Sequence, residues 1–265
     1  TGDNNVAIGY QAGQDLTSAN KNTIIGDQAY KQATTGAENV IIGYLAGGAQ
    51  AADSGLNVVI GNEAAEEMTS MSEATIVGYK AATSNTSGSH ILAMGYQAYD
   101  GADTENHNMA IGSSALGGSV AGGEYNVAVG NYALQALTSG DFNTTLGYHS
   151  GTNISTGQQN VFIGYQAGKE ATTSDGCTVV GRFAGGASGT MTGNLNVYVG
   201  NSAGASATSG ANNTVVGASA ADALTSGSEN TIMGEEAGGA LTIGDHNVLI
   251  GNHAGDAIVV ERRNV

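Results

Sequence analysis

The chain has 265 residues, with 43 Gly, no Pro, no Trp, one Cys and 11% charged residues. Ordinary globular chains carry about 7% Gly and about a quarter charged residues, so the bias points to a repeated backbone geometry. Glycine without a Gly-X-Y period excludes collagen, and enough Val, Ile and Leu remain to bury a core. The formal net charge of −16 repels nucleic acid and anionic lipid, and no apolar run is long enough for a membrane span.

Taken in chain order, the predicted elements are copies of one unit. A short β-branched run ends at a glycine at Gly9, Gly26, Gly43, Gly61, Gly78, Gly95, Gly112, Gly130, Gly147, Gly164, Gly181, Gly200, Gly217, Gly234 and Gly251. The spacing is 17, with 18 before Gly61 and Gly130 and 19 before Gly200. Those extra residues are expected to bulge from loops. Each copy reads Asn-[Val/Thr]-apolar-[Ile/Val]-Gly-x-x-Ala, as in Asn5-Val6-Ala7-Ile8-Gly9 with Ala12 following. The position four before the glycine is Asn in twelve copies and Ala74, Ile91 or Cys177 in the others. The position three after it is Ala in fourteen copies and Ser150 in the fifteenth.

The β-branched run predicts a strand, and the glycine a corner where a side chain would clash. The alanine predicts a narrow interior. The Leu-Thr-Ser-Gly tracts, as at Leu137 to Gly140, predict turns. Equivalent strands then stack in register and the Asn column forms a side-chain ladder. The expectation is an all-β, parallel β-solenoid (β-roll) of about fifteen 17-residue coils over 1–255. Residues 256–265, including Arg262 and Arg263, are expected to leave the repeat as a cap or transition.

The strand is apolar on both faces. Counted from the glycine, positions −3 and −1 point to one side and −2 to the other. Position −2 holds Ala7, Ile24, Ile41, Val59, Ile76, Ala93, Ala110, Ala128, Thr145, Phe162, Val179, Tyr198, Val215, Ile232 and Leu249. If −2 faces outward, its larger members form an interface between copies of the chain: Ile24, Ile41, Val59, Ile76, Phe162, Val179, Tyr198, Val215, Ile232 and Leu249. A wider coil would instead turn −2 inward and −3 and −1 outward. Either way apolar columns need cover that one thin coil cannot supply, and a closed symmetric oligomer supplies it for every coil at once.

Copies such as Asn5-Val6-Ala7-Ile8-Gly9-Tyr10-Gln11-Ala12-Gly13 and Asn160-Val161-Phe162-Ile163-Gly164-Tyr165-Gln166-Ala167-Gly168 resemble the head repeats of trimeric autotransporter adhesins. They are still more similar to the related repeats of bacteriophage tail fibres. The resemblance covers nearly the whole chain, although adhesin-head repeats are typically shorter. It implies a homotrimeric β-roll, intertwined or side by side, extracellular or on a virion. That roll would serve as the shaft or head of a fibre presenting binding groups to a host cell-surface glycan or protein, in company with other fibre components.

Chemistry-bearing residues do not gather into a site. The five histidines are His90, His107, His149, His246 and His253; His107 and His246 share one repeat position, His149 and His253 another, and no spacing clusters them with carboxylates as a metal site requires. Cys177 is alone, so no intrachain disulfide is possible. No nucleophile elbow or phosphate loop is present. The expectation is therefore no enzyme, no cofactor, no metal and no membrane insertion. One column stands out after the glycine, where Tyr10, Tyr44, Tyr79, Tyr96, Tyr148 and Tyr165 offer rings with polar tips to a surface or glycan. The same rings could instead cover corners and stack on neighbouring coils. Other functions compatible with the fold are a structural protein of an extracellular filament or virion decoration that binds no receptor and, less favoured, an ice-binding solenoid.

Overall fold

The structure, a computed structural model, describes residues 2–48, 54–260 and 262. The chain is all-β, with fifteen parallel strands and no helix among the described residues. It divides into two units, Thr1–Asn131 and Tyr132–Val265. The first carries β1 (Val6–Ile8), β2 (Thr23–Ile25), β3 (Val40–Ile42), β4 (Val58–Ile60), β5 (Thr75–Val77), β6 (Leu92–Met94), β7 (Met109–Ile111) and β8 (Val127–Val129). The second carries β9 (Thr144–Leu146), β10 (Val161–Ile163), β11 (Thr178–Val180), β12 (Val197–Val199), β13 (Thr214–Val216), β14 (Thr231–Met233) and β15 (Val248–Ile250).

Within each unit every strand pairs in parallel with the next, and identical repeat positions face one another. Ala7 pairs with Ile24 and Ile24 with Ile41 in the first unit, and Phe162 with Val179 and Val179 with Tyr198 in the second. This is the β-solenoid expected from the spacing. The longer repeats keep the same register: Val40 still pairs with Val58, Met109 with Val127 and Thr178 with Val197. The loop half of the coil absorbs the extra residues. That loop half makes its own short extended contact in places, a column of bridges from Ala37 to Gly55, Ser72 and Ser89.

The marker glycines cannot be replaced within this geometry. Gly164 has φ +133°, a region essentially closed to other residues, and a Cβ there would lie 2.5 Å from the Gly181 carbonyl oxygen. Backbone likewise meets the backbone of the next coil at the corners from Gly9 to Gly112 and from Gly147 to Gly234. The alanines three residues on are buried from Ala29 to Ala237, which bears out the narrow interior.

The Asn column forms the ladder. Asn22 donates through Nδ2 to Asn5 Oδ1 (3.0 Å) and to the Gly36 carbonyl (2.8 Å), and its own Oδ1 accepts from Asn39 N (2.9 Å). Each buried amide thus satisfies the coil before it, the coil after it and a loop carbonyl. The same pattern recurs in the second unit through Asn160, Asn196, Asn213, Asn230 and Asn247.

The strand direction resolves against the outward placement of position −2. Ile24, Ile41, Val59, Ile76, Phe162, Val179, Tyr198, Val215 and Ile232 are all fully buried by their own chain, and Leu249 is nearly so. They line the coil interior and are not an interface. The reason is volume. A three-residue strand presents one residue inward, and that residue packs against position +4 of the same and adjacent coils. Where −2 is Ala93, Ala110 or Ala128, position +4 is Tyr99, Leu116 or Leu134, all buried. Where −2 is Phe162 or Tyr198, position +4 is Gly168 or Gly204, and a Cβ on either glycine would collide with the ring. The wider-coil arrangement is the one adopted.

The repeat also runs past 255. Thr242 donates from N (2.9 Å) and Oγ1 (3.0 Å) to the Val259 carbonyl, as Thr225 does to Thr242. Arg262 pairs with Asp245 (Nε to Oδ2, 3.2 Å). Glu261, Arg263, Asn264 and Val265 of the expected cap lie outside the described residues.

Candidate interaction surface

With −2 inside, positions −3 and −1 face out. These 30 positions comprise 24 aliphatic or Met residues and six Thr, and none is charged, in a chain with 23 acidic and 7 basic residues. Twenty are half-buried by their neighbours, while Met94, Leu146, Met233, the end-strand residues Val6, Ile8, Val248 and Ile250, and Thr75, Thr144 and Thr214 are exposed. Each unit therefore carries an uncharged β-branched stripe one strand wide. Scattered apolar residues are ordinary on a protein surface, whereas here they line up strand after strand in one column.

The −5 column borders this stripe. Glu73 Oε2 meets His90 Nε2 at 2.7 Å, His90 and His107 stack with centroids 4.7 Å apart, and His107 stacks on Tyr125 at 4.7 Å. Glu229 and His246 make the same cross-coil pair at 2.9 Å. In the +2 column His253 Nδ1 lies 3.2 Å from Glu236. The carboxylates thus sit one coil before their histidines, a relation hidden by reading the histidines alone. Such exposed pairs each contribute at most about 1 kcal/mol. Among the described residues no three His, Cys, Asp or Glu side chains come together as a metal-ligand set.

All six tyrosines of the +1 column are exposed: Tyr10, Tyr44, Tyr79, Tyr96, Tyr148 and Tyr165. Several also stack along the coils, Tyr79 on Tyr96 at 5.6 Å and Tyr148 on Tyr165 at 5.5 Å. Surface presentation and coil-to-coil stacking therefore coexist. The sequence reading missed Tyr132 and Phe183 in the neighbouring +2 column and Arg182, whose guanidinium lies 4.2 Å from the Phe183 centroid, and it took His149 of that column as a repeat position only. Reading +1 and +2 together as one corner would have found them. Burial lowers the His149 pKa, and the Lys169 charge adds to that effect.

The buried titratable groups serve the core. Burial pushes the Tyr30 phenol up to about 12 against a small opposing effect of its contact with Ser54, and raises the phenols of Tyr99 and Tyr198 as well. Burial likewise raises the Cys177 thiol. That thiol occupies an Asn position of the ladder and donates to the Gly193 carbonyl at 3.3 Å, as the missing amide would. Glu105, though buried, accepts from the backbone of Asp103, Thr104 and Gly122 (2.8–3.1 Å), tying down the longer loop before β8. No protein-family model and no curated protein matches the chain.

Proposed function

We propose that this chain is a structural and adhesive fibre protein, a homotrimeric β-solenoid that forms the shaft or head of a tail-fibre-like assembly, and that it performs no catalysis. The observation that carries this reading is the uncharged outward stripe formed by positions −3 and −1. Copies that each bear a net charge of −16 repel one another, and the uncharged stripe is where they approach with the least local repulsion and the most apolar contact. Closed rotational symmetry about an axis parallel to the stacking direction covers the stripe coil by coil. The resemblance of the repeats to phage tail fibres and trimeric autotransporter adhesins favours three copies. It also favours an extracellular or virion location, where other fibre components and a host cell-surface glycan or protein are the partners. Adhesion then works by multivalency, since identical groups repeated on three chains bind with an avidity beyond that of one site.

The mass in solution tests this. Light scattering should give three times the chain mass of 26.2 kDa. Ile42→Asp and Val180→Asp place charge on the outward stripe and should leave folded monomers. Ile41→Asp and Ile232→Asp bury that charge and should unfold their coils instead, because an unpaired buried carboxylate costs several kcal/mol. A monomeric wild type overturns the trimer. Trimers that polymerise end to end and bind no cells would instead identify a filament without a receptor.

A further inference from the structure

We propose that the corner formed by Tyr132, Tyr148, His149, Tyr165, Arg182 and Phe183 is a saccharide-binding site. The proposal deepens the adhesive reading and rests on it. Four consecutive corners contribute, through residues one or two after Gly130, Gly147, Gly164 and Gly181, and all six contributing residues lie in the second unit. The rings are set in two directions. Tyr132 and His149 are parallel (13°, 4.8 Å), and so are Tyr148 and Tyr165 (13°, 5.5 Å). The two pairs stand at right angles, Tyr148 to His149 at 90° and Tyr132 to Tyr148 at 85°. Phe183 turns again, at 79° to Tyr165.

This arrangement differs from the simple ring stack of Tyr79 on Tyr96 in the first unit, where neighbouring faces cover each other at 22°. Perpendicular pairs make an aromatic corner. It can hold the apolar face of a pyranose against one ring while the edge of another ring meets the sugar's rim. The tips that border the corner are hydrogen-bonding groups rather than aliphatic ones. They are three phenols, the His149 imidazole that meets Thr152 Oγ1 at 3.1 Å, the Gln166 amide on the Tyr165 hydroxyl (3.3 Å), and the Arg182 guanidinium. A protein partner anchored by hot spots asks for a desolvated apolar pocket, whereas a polyhydroxylated ligand asks for this mixture. Tyr148 and Tyr165 remain 43% and 42% exposed, so the chain itself does not cover them. Three of the contributing residues, Tyr132, His149 and Phe183, also hold bulky rings at φ between +55° and +62°. Bulky side chains are disfavoured in that region, so their presence there is not a requirement of the backbone.

The test uses the full chain on an array of purified bacterial lipopolysaccharides and capsular polysaccharides, followed by titration with the best-bound one. The chain has no Trp, so tyrosine fluorescence reports directly. Tyr148→Ala/Tyr165→Ala should weaken binding at least tenfold. Tyr148→Leu/Tyr165→Leu, which keeps packing volume and removes the rings, should do the same. Tyr79→Ala/Tyr96→Ala should bind as the wild type does. No bound polysaccharide, equal binding by the Leu variant, or equal loss in the Tyr79/Tyr96 control overturns the site. Mass and whole-cell binding of each variant are followed in parallel. A trimer that still binds cells without these rings sinks the saccharide site and leaves the fibre reading standing.

Discussion

Tyr30, Tyr99 and Tyr198 are among the largest side chains wholly buried in the coils. Their phenols are all raised above the ordinary value of 10.0 because burial penalises the phenolate. Below pH 10 both folded and unfolded chains keep these protons. Above it the unfolded chain releases them while the folded chain holds them, so the unfolded state binds fewer protons and stability falls as pH rises. For Tyr30 the loss spans from about pH 10 to the folded value of about 12. Circular dichroism followed alongside tyrosinate absorbance should therefore show cooperative alkaline unfolding that begins near pH 10. The three buried tyrosines should ionise together with it. Tyrosine ionisation complete before any loss of structure would contradict this burial.

The element that repeats is a coil held by two columns, one of backbone and one of amides. In the backbone column, Gly164→Ala would need both a forbidden φ and the displacement of the Gly181 carbonyl. The cost should be about 3 kcal/mol or more, read as a drop in Tm or in the denaturant midpoint. In the amide column, Cys177 leaves a weak rung, since a thiol is a poorer donor and acceptor than an amide. Cys177→Asn, with both faces of the rung already prepared by Asn160 and Asn196, should stabilise the second unit by about 1 kcal/mol in chemical denaturation. A destabilised variant would mean that the longer loop after β11 cannot offer the Gly193 carbonyl to an amide.

At the scale of the whole molecule, the repeat, the strand positions, the glycine corners and the Asn ladder were legible because each depends on local geometry that recurs fifteen times. The facing of the strand was not. Alternation distinguishes inside from outside only when one side is polar, and here both are apolar. The distinction was nevertheless present in the pairing of residue sizes, Ala93 with Tyr99 and Phe162 with Gly168, which only an inward −2 position requires. The aromatic corner was half legible. The +1 tyrosines formed a column, but Tyr132, His149 and Phe183 belong to a column filled mostly by Gln, Ser, Glu and Lys and become visible as a cluster only when adjacent columns are read together.

The way loops absorb added residues while the strands keep register bears on how such a gene can change. Any stretch from one strand start to the residue before the next is a closed cassette. Removing Thr214–Asn230 would leave Asn213 directly before Thr231, restore the repeat motif at the junction, and let β12 meet β14 in the pairing that β13 now makes. Recombination between repeats that share this motif would then lengthen or shorten the protein by whole coils without a misfolded intermediate form. Reach would be a trait that varies in steps, inherited and selected separately from the chemistry of the corner.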